Sequence, residues 1–397
     1  YGEVGNDQIG GDRFLYLPSS YGAASDSGVN KYNFGLASNP YTSLMIVENK
    51  IGNPDLTWEK AKKMNVGVDI NLFNNCLTAS FDIFKEKRNN ILANRSTSPM
   101  IIGANLPAYN FGEMENRGWE MDLNFRHHIQ DFHYWARFNY SFARNEIIYM
   151  DEVQKRYDYQ MTTGRRKNQF FGLIFDGYYN SWEEINALDR PKSSWSGNQL
   201  QPGDVKYVDV NQDGVIDDYD MVPIGYTPVP EIIYGFSFGA QYKGFDFSIL
   251  FQGADNVSIK YFGRSMWPFA KGEESAKSLI KERWTQERSE AGEKITFPRL
   301  SLNPNGETDH NYRPSTLWIR DASYLRLKNL EVGYTFTGGF VKRLNLNSVR
   351  LYFNGSNLFT WTDVVDLDPE APSRSGNVEI NTYPLQKVYN IGLNINF

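Results

Sequence analysis

A single cysteine, Cys76, and four histidines are all the soft metal-ligand chemistry that 397 residues provide. One thiol excludes an internal disulfide and any cysteine-rich metal centre. Its place beside an Asn-Asn pair makes it a small residue at a turn. The chain also has no uninterrupted apolar run of about 18 residues, so no transmembrane helix is expected. Strands are untouched by that absence, because a barrel strand crosses a bilayer with about ten alternating residues. Basic excess is missing as well. A net charge of -6 and a pI near 5.5 leave no electrostatic footprint for nucleic acid. Without an HExxH or GxxxxGK there is no zinc-protease helix or phosphate-binding loop to support an enzyme. The opening YGEVGNDQIGG has neither the charged start nor the apolar core of a secretion signal. It reads as the end of a strand running into a loop, from which we expect a fragment or one half of a split protein.

What the sequence does have is aromatics and alternation. Aromatic residues make up 15%, with 25 Tyr and 26 Phe, as girdles at two bilayer interfaces would require. At the C-terminal end, Ile391, Leu393, Ile395 and Phe397 alternate with Asn390, Gly392, Asn394 and Asn396. A strand turns successive side chains to opposite faces, so one face is apolar and the other polar. The pattern recurs. Met64 to Leu72 and Leu77 to Ile83 flank an Asn74-Asn75 turn; Trp119 to Phe125 and Tyr134 to Phe142 flank a turn near Gln130-Asp131; Tyr234 to Tyr242 and Phe245 to Phe251 flank Lys243-Gly244. In the next strand the apolar set moves from Leu325 and Leu327 to Leu330, Val332, Tyr334 and Phe336. A one-residue shift turns every side chain to the other face unless a bulge absorbs it, which predicts a β-bulge near Asn329.

The connections alternate too. Short turns fall at about 73–76, 129–132, 243–244 and 337–347, and long segments at about 6–60, 89–116, 148–230, 255–321 and 358–386. Short turns on one side and long loops on the other are the asymmetry of an outer-membrane barrel. The expected fold is therefore all-β, a transmembrane antiparallel β-barrel wall of about ten strands spanning 1–397, with long extracellular loops. Parity assigns Gln169 to Tyr179 to an external loop, since one more crossing would reverse every later strand. The loops carry Trp58, Trp182, Trp195, Trp267, Trp284, Trp318 and Trp361. Such rings either stack on sugars or peptide side chains, or pack the loops on one another.

The sharpest local motif lies in an insertion at 203–225. Asp209, Asn211 and Asp213 place oxygens at loop positions 1, 3 and 5, Gly214 stands at the sharp turn, Val215 offers its carbonyl, and Asp217 and Asp220 take positions 9 and 12. That spacing wraps a chain around Ca²⁺, with a structural role expected. The final Asp departs from the EF-hand Glu, no amphipathic helix flanks the loop, and a metal-free Asp/Asn/Gly turn is the alternative. Among other polar residues, register would put His128 opposite His133, with His127 beside them. A two-ligand metal site is conceivable there, but ordinary interfacial histidines are preferred. The pairs Glu183-Glu184 and Asp217-Asp218 read as solvated surface rather than glycosidase acids.

Four blocks carry a resemblance: IGNPDLTWEKAKKMNVGVDINLFNNCLTASFDIFKEKRNNIL (51–92), GDVKYVDVNQDGVIDDYDMVPIG (203–225), ASYLRLKNLEVGYTF (322–336), and YFNGSNLFTWT followed by LDPEAP (352–372). Together they resemble the C-terminal half of SusC/RagA-type TonB-dependent transporters of Bacteroidetes outer membranes. The resemblance implies a 22-strand barrel with an internal plug, a SusD-like surface lipoprotein that lids it and captures glycans or peptides, and energy from TonB. The TonB box, plug and remaining N-terminal strands are not in this chain, so that portion would be a partner of it. Phe397 resembles the terminal aromatic read by the barrel-insertion machinery. The polar-face residues Asp69, Glu120, Asp122, Arg137, Asn139 and Asn394 would line the passage or touch the plug, with the apolar face against membrane lipid. The competing reading is a secreted, calcium-stabilised, β-rich glycan-binding module.

Overall fold

The computed structural model describes residues 1–6, 16–17, 22–23, 31–36, 41–44, 46–47, 51–97, 106–195, 200–261, 267–269, 278–302, 309–365, 367–370, 377–378 and 385–397. Its largest element is one ten-stranded antiparallel sheet: β1 (Gly2–Asn6), β2 (Glu59–Leu72), β3 (Leu77–Ala93), β4 (Tyr109–Ile129), β5 (Phe132–Tyr149), β6 (Ile232–Tyr242), β7 (Phe245–Asp255), β8 (Tyr324–Phe336), β9 (Ser348–Thr362) and β10 (Val388–Asn396). Each strand pairs with its neighbour in sequence, and β1 and β10 form the two edges. Ten strands is the expected number. Gln169 to Tyr179 contributes none of them.

Register follows from the turns. At 73–76, Phe73, Asn74 and Asn75 all take positive φ, which asparagine tolerates and which closes the hairpin tightly. Lys243 and Gly244 are both left-handed, the backbone of a primed two-residue turn, and a Cβ on Gly244 would meet the Thr335 carbonyl at 2.7 Å. With register fixed, Val66, Ile83, Trp119, Phe142 and Ile232 fall on one paired row, all on the same face. The bulge falls where the alternation breaks. Leu327 and Asn329 pair with successive residues Phe251 and Leu250, which leaves Lys328 as the extra residue, while across β9 they face Phe359 and Ser356.

The sheet buries neither face as a soluble sandwich would. Val66, Ile83, Phe238, Leu351, Ile391 and Phe397 stand exposed along its apolar face, which no second layer covers among the described residues. An uncovered apolar stripe across ten strands is a lipid contact, not a core. This disfavours the secreted-module reading. Aromatics border the stripe at both ends. On the long-loop side Trp119 stacks on Tyr140 with centroids 4.8 Å apart, and on the short-turn side Phe245, Tyr334 and Phe336 cluster with centroids near 4.5 Å.

The hydrophobic core lies outside the sheet, in a layer built from the long connections. Leu173, Val205, Tyr207, Tyr261, Phe297, Tyr312, Trp318, Ala322 and Val364 are buried together, drawn from three segments that follow β5, β7 and β9. Short strands tie the layer: Phe171–Gly172 to Val222–Pro223, Phe175–Tyr178 to Val205–Tyr207, and Ser258–Tyr261 to Ile319–Asp321. The tryptophans divide accordingly. Trp318 is buried and Trp195, Trp267 and Trp284 pack against this core, whereas Trp58 and Trp182 are exposed. Trp361, expected in a loop, lies in β9 opposite Leu325, on the lipid face. The connection expected at 89–116 is shorter than its sequence suggested, because β3 runs to Ala93 and β4 begins at Tyr109.

Candidate functional site

The polar face of the wall is a continuous surface of amides and charges. Asp69, Ser80, Asp122 and Asn139 share one row across β2 to β5, and the Ser80 hydroxyl donates to Asp69 at 2.5 Å. Glu120 lies one row over, opposite Asp82 and Ser141, and Arg137 lies between Asn124 and Ser237. Asn394 pairs with Arg350, which ion-pairs with Asp246 and with Glu331 at 2.6 Å. All six expected lumen residues thus fall on one face. His128 faces His133 as the register required, with ring centroids 5.5 Å apart.

A cluster that sequence reasoning missed joins two of the blocks. Tyr324, Arg326 and Lys328 project from β8 onto the segment 367–370. Arg326 is 2% exposed, and its guanidinium meets Asp368 at 2.6 Å and Glu370 at 3.0 Å. Lys328 reaches Glu370 at 3.1 Å, and the Tyr324 hydroxyl donates to it at 2.7 Å. Burial pulls the Asp368 carboxyl up, but Arg326 and the backbone N–H groups of Glu370 and Leu385 outweigh that and hold it below its usual range. Ala371 and Pro372 of the same block lie outside the described residues. Charges at 326 and 328 in a strand otherwise alternating with Leu were the available signal.

The loop layer has its own buried polar centre. Asp204 accepts from Arg299 at 2.6 Å and from the Asn311 amide at 2.8 Å, and Asn311 in turn accepts from the Val205 N–H. The fourth histidine, His310, bridges the Val205 carbonyl through Nε2 at 2.8 Å and the Ser193 hydroxyl through Nδ1 at 2.9 Å. A carbonyl can only accept, so Nε2 carries a proton. Burial pushes its pKa below the ordinary histidine value.

In the 209–220 loop each expected ligand turns inward on the backbone. Asp209 accepts from Gly214 N–H at 2.8 Å, Asn211 from Asp213 at 2.9 Å, and Asp213 from Val215 at 3.0 Å. Gly214 takes φ +82°, and parallel pairing with 192–194 uses the Gly214 and Ile216 carbonyls, leaving that of Val215 outside it. Asp217 caps a short turn that Asp220 closes. Asp220 is fully buried, and its two oxygens accept from Val210, Asn211 and Asp217. Burial raises its pKa. The other Asp209 oxygen is buried without a partner. Among the described residues no three His, Cys, Asp or Glu side chains form a metal-ligand group. Asp209, Asp213 and Asp217 of the loop are thus not gathered into such a group, each accepting from a backbone N–H. Of the acidic pairs, Glu184 binds Lys206 at 2.5 Å, Asp217 caps its turn, and Asp218 lies 3.8 Å from Arg313.

Comparison with known proteins bears on this two-faced sheet directly. The family described as TonB dependent receptor-like, beta-barrel matches residues 17–358. TonB-dependent receptor P26 of Formosa agariphila is 27% identical over 412 residues, covering 96% of this chain and 40% of that protein. TonB-dependent receptor SusC of Bacteroides thetaiotaomicron is 26% identical over 403 residues, covering all of this chain and 37% of that protein. The solved RagAB peptide importer in its open-open state superposes with a TM-score of 0.68 at 22% identity, over the whole chain and 39% of the matched one. This chain spans about two fifths of the length of the relatives it matches. Lipid-facing alternation, ten neighbour-paired strands and a match over most of the length have one explanation: the chain belongs to the TonB-dependent receptor-like β-barrel family of the outer membrane.

Proposed function

We propose that the chain forms part of the wall and the extracellular loop layer of an importer that takes up oligosaccharides or peptides across the outer membrane, working with a SusD-like surface lipoprotein. The observation that carries this is the wall itself. Ten strands place apolar side chains on one face and Asp69, Glu120, Asp122, Arg137 and Asn394 on the other, beneath a folded loop layer that, among the described residues, lies at one end. A polar, charged inner face suits a hydrated or plugged passage, and an uncovered apolar outer face suits lipid. The likeness to the RagAB peptide importer favours peptides as the cargo.

In this reading the substrate is held between the lipoprotein and the extracellular loops. TonB, acting through the remaining N-terminal barrel and plug portion, then opens a path along the polar face. No covalent chemistry is involved. The decisive experiment is detergent purification of the intact transporter containing this chain, with mass spectrometry of co-purifying proteins and small molecules. A surface lipoprotein together with glycan or peptide is expected. Recovery of the intact protein from the aqueous fraction as a monomer without detergent would sink the reading.

Within the loop layer we assign the 209–220 turn to structural Ca²⁺. The unpartnered Asp209 oxygen, the Val215 carbonyl left outside the pairing with 192–194 and the ligand spacing support it. Asp209, Asn211, Asp213 and Asp217 with the Val215 carbonyl would hold the ion. Asp220, saturated by backbone N–H groups, braces the loop from behind.

A further inference from the structure

The apolar belt ends abruptly on the outer face of β3 to β5. One row holds Ile83, Trp119 and Phe142; the next, two residues further along each strand and so about 7 Å away, holds Lys85, Arg117 and Arg144. The row after that adds Lys87, Glu115 and Glu146. Lipid tails end where the aromatics do, so these charges stand at the level of lipid headgroups.

Directly at that boundary is a crevice of about 390 Å³ lined by Arg117, Arg144, Glu146, Arg165, Arg166 and Gln169. It forms because the turn after β5 folds back on the strand end: Gly164 donates to the Ile147 carbonyl, and Ile147 donates to that of Arg165. Four guanidinium groups face one carboxylate within the lining. Buried Glu231 beneath them occupies two, binding Arg144 at 2.7 Å and also Arg166, while Arg144 lies over the Phe142 ring at 5.4 Å. The other two are left for a ligand. Arg117 makes only long contacts, to Glu115 at 3.8 Å and to Glu146 at 3.9 Å, and is 58% exposed. Arg165 has no side-chain partner among the described residues. The crevice is therefore lined by more cationic, fork-shaped donors than carboxylates, with Arg144 and Arg166 pre-positioned by Glu231, Arg117 held loosely by two glutamates and Arg165 without a side-chain partner among the described residues, next to the lipid belt. Guanidinium groups match the oxygens of phosphate bidentately.

We propose that this crevice binds the phosphate group of a phosphorylated glycolipid of the outer leaflet, with its acyl chains lying down the apolar face over Trp119 and Phe142. Arg117 and Arg165 contact the phosphate; Arg144 and Arg166 supply the field and the wall. The site is independent of whatever the barrel imports.

The test uses the intact transporter containing this chain, exchanged into phosphatidylcholine vesicles that carry either diphosphorylated lipid A or its dephosphorylated form, then extracted and read by native mass spectrometry. Wild-type protein is expected to retain the phosphorylated lipid alone. Arg117→Gln with Arg165→Gln should reduce retention by about tenfold or more, the consequence of losing contacts to a charged group, and Arg117→Lys with Arg165→Lys should keep part of it. Neither residue supports Glu231, so both variants should still assemble, as checked by heat-modifiable gel mobility. Equal retention of the two lipids, unchanged retention in the Gln variant, or complete displacement by millimolar inorganic phosphate, which would indicate an adventitious anion site only, would overturn the proposal.

Discussion

Arg326 and Asp368 meet at 2.6 Å across 42 residues of sequence, the guanidinium almost wholly buried on the inner face of β8. The contact fastens the segment that follows β9 to the wall, and Glu370 extends it to Lys328 and Tyr324. Removing one member of a buried ion pair leaves the other charge uncompensated, which costs about 3–5 kcal/mol. Asp368→Ala with Glu370→Ala strips both carboxylates from Arg326 and should therefore destabilise the intact protein by a few kcal/mol and expose the stretch after 362 to protease. Lys328→Ala, whose partner keeps Arg326, should cost much less. Comparable effects of the two in thermal melts and limited proteolysis would refute this ranking.

The loop layer should be sensitive to acid in two steps. His310 is held neutral with its folded pKa lowered, so the unfolded layer takes up a proton first and stability falls as pH drops below the ordinary histidine value of about 6.5. Asp368 is also lowered, but as a carboxylate its contribution is present above about pH 4 and is lost only as pH falls through its folded value. Hydrogen-exchange protection factors at Val205 to Tyr207 and 310–318, corrected for the intrinsic pH dependence of amide exchange, should fall between pH 7.5 and 5.5 while the wall strands stay protected. His310→Gln should flatten the first step.

Trp318 is the centre of the extramural core. Its ring lies 5.4 Å from Phe297 and 5.3 Å from Tyr312, and its indole N–H donates to the Asn311 carbonyl at 2.8 Å. Trp318→Ala should cost about 3–5 kcal/mol. The loss belongs to the loop layer, so barrel gel mobility should persist while loop tryptophan fluorescence shifts to longer wavelength.

Neighbouring residues on β2 separate the two faces. Val68→Arg puts a cation into lipid and should cost about 2–4 kcal/mol near the bilayer midplane. Asp69→Arg, on the other face, should cost only the Ser80 hydrogen bond and local charge balance. Surface abundance measured for the pair checks the facing. In the same assay Phe397→Asp should lower outer-membrane assembly.

Calcium removal tests the 209–220 loop. Chelation should lower the melting temperature of the intact transporter, with recovery on adding Ca²⁺ but not Mg²⁺, and Asp209→Ala with Asp213→Ala should abolish the difference. A melting curve indifferent to chelator would leave an ordinary Asp/Asn turn.

Most of the wall was legible in the sequence. A side-chain period of two is a local property of the strand, so the inward and outward sets, the turn positions, the strand number and the break near Asn329 could all be read from residues in order. The loop spacing of Asp209, Asn211 and Asp213 is local in the same way. The rest depended on contacts between distant segments, where no period links one residue to its partner. Nothing near Asp368 in the chain indicates Arg326, nothing near His310 indicates Val205 and Ser193, and nothing assigns Trp318 to a core and Trp361 to lipid. The arginine crevice needed a turn folded back on β5 to bring 165 and 166 beside 117 and 144. Sequence determined what each strand shows to lipid and lumen because backbone geometry enforces it residue by residue. Only the tertiary structure decided which long loops share a core, because that depends on the packing of side chains that chain order does not bring together.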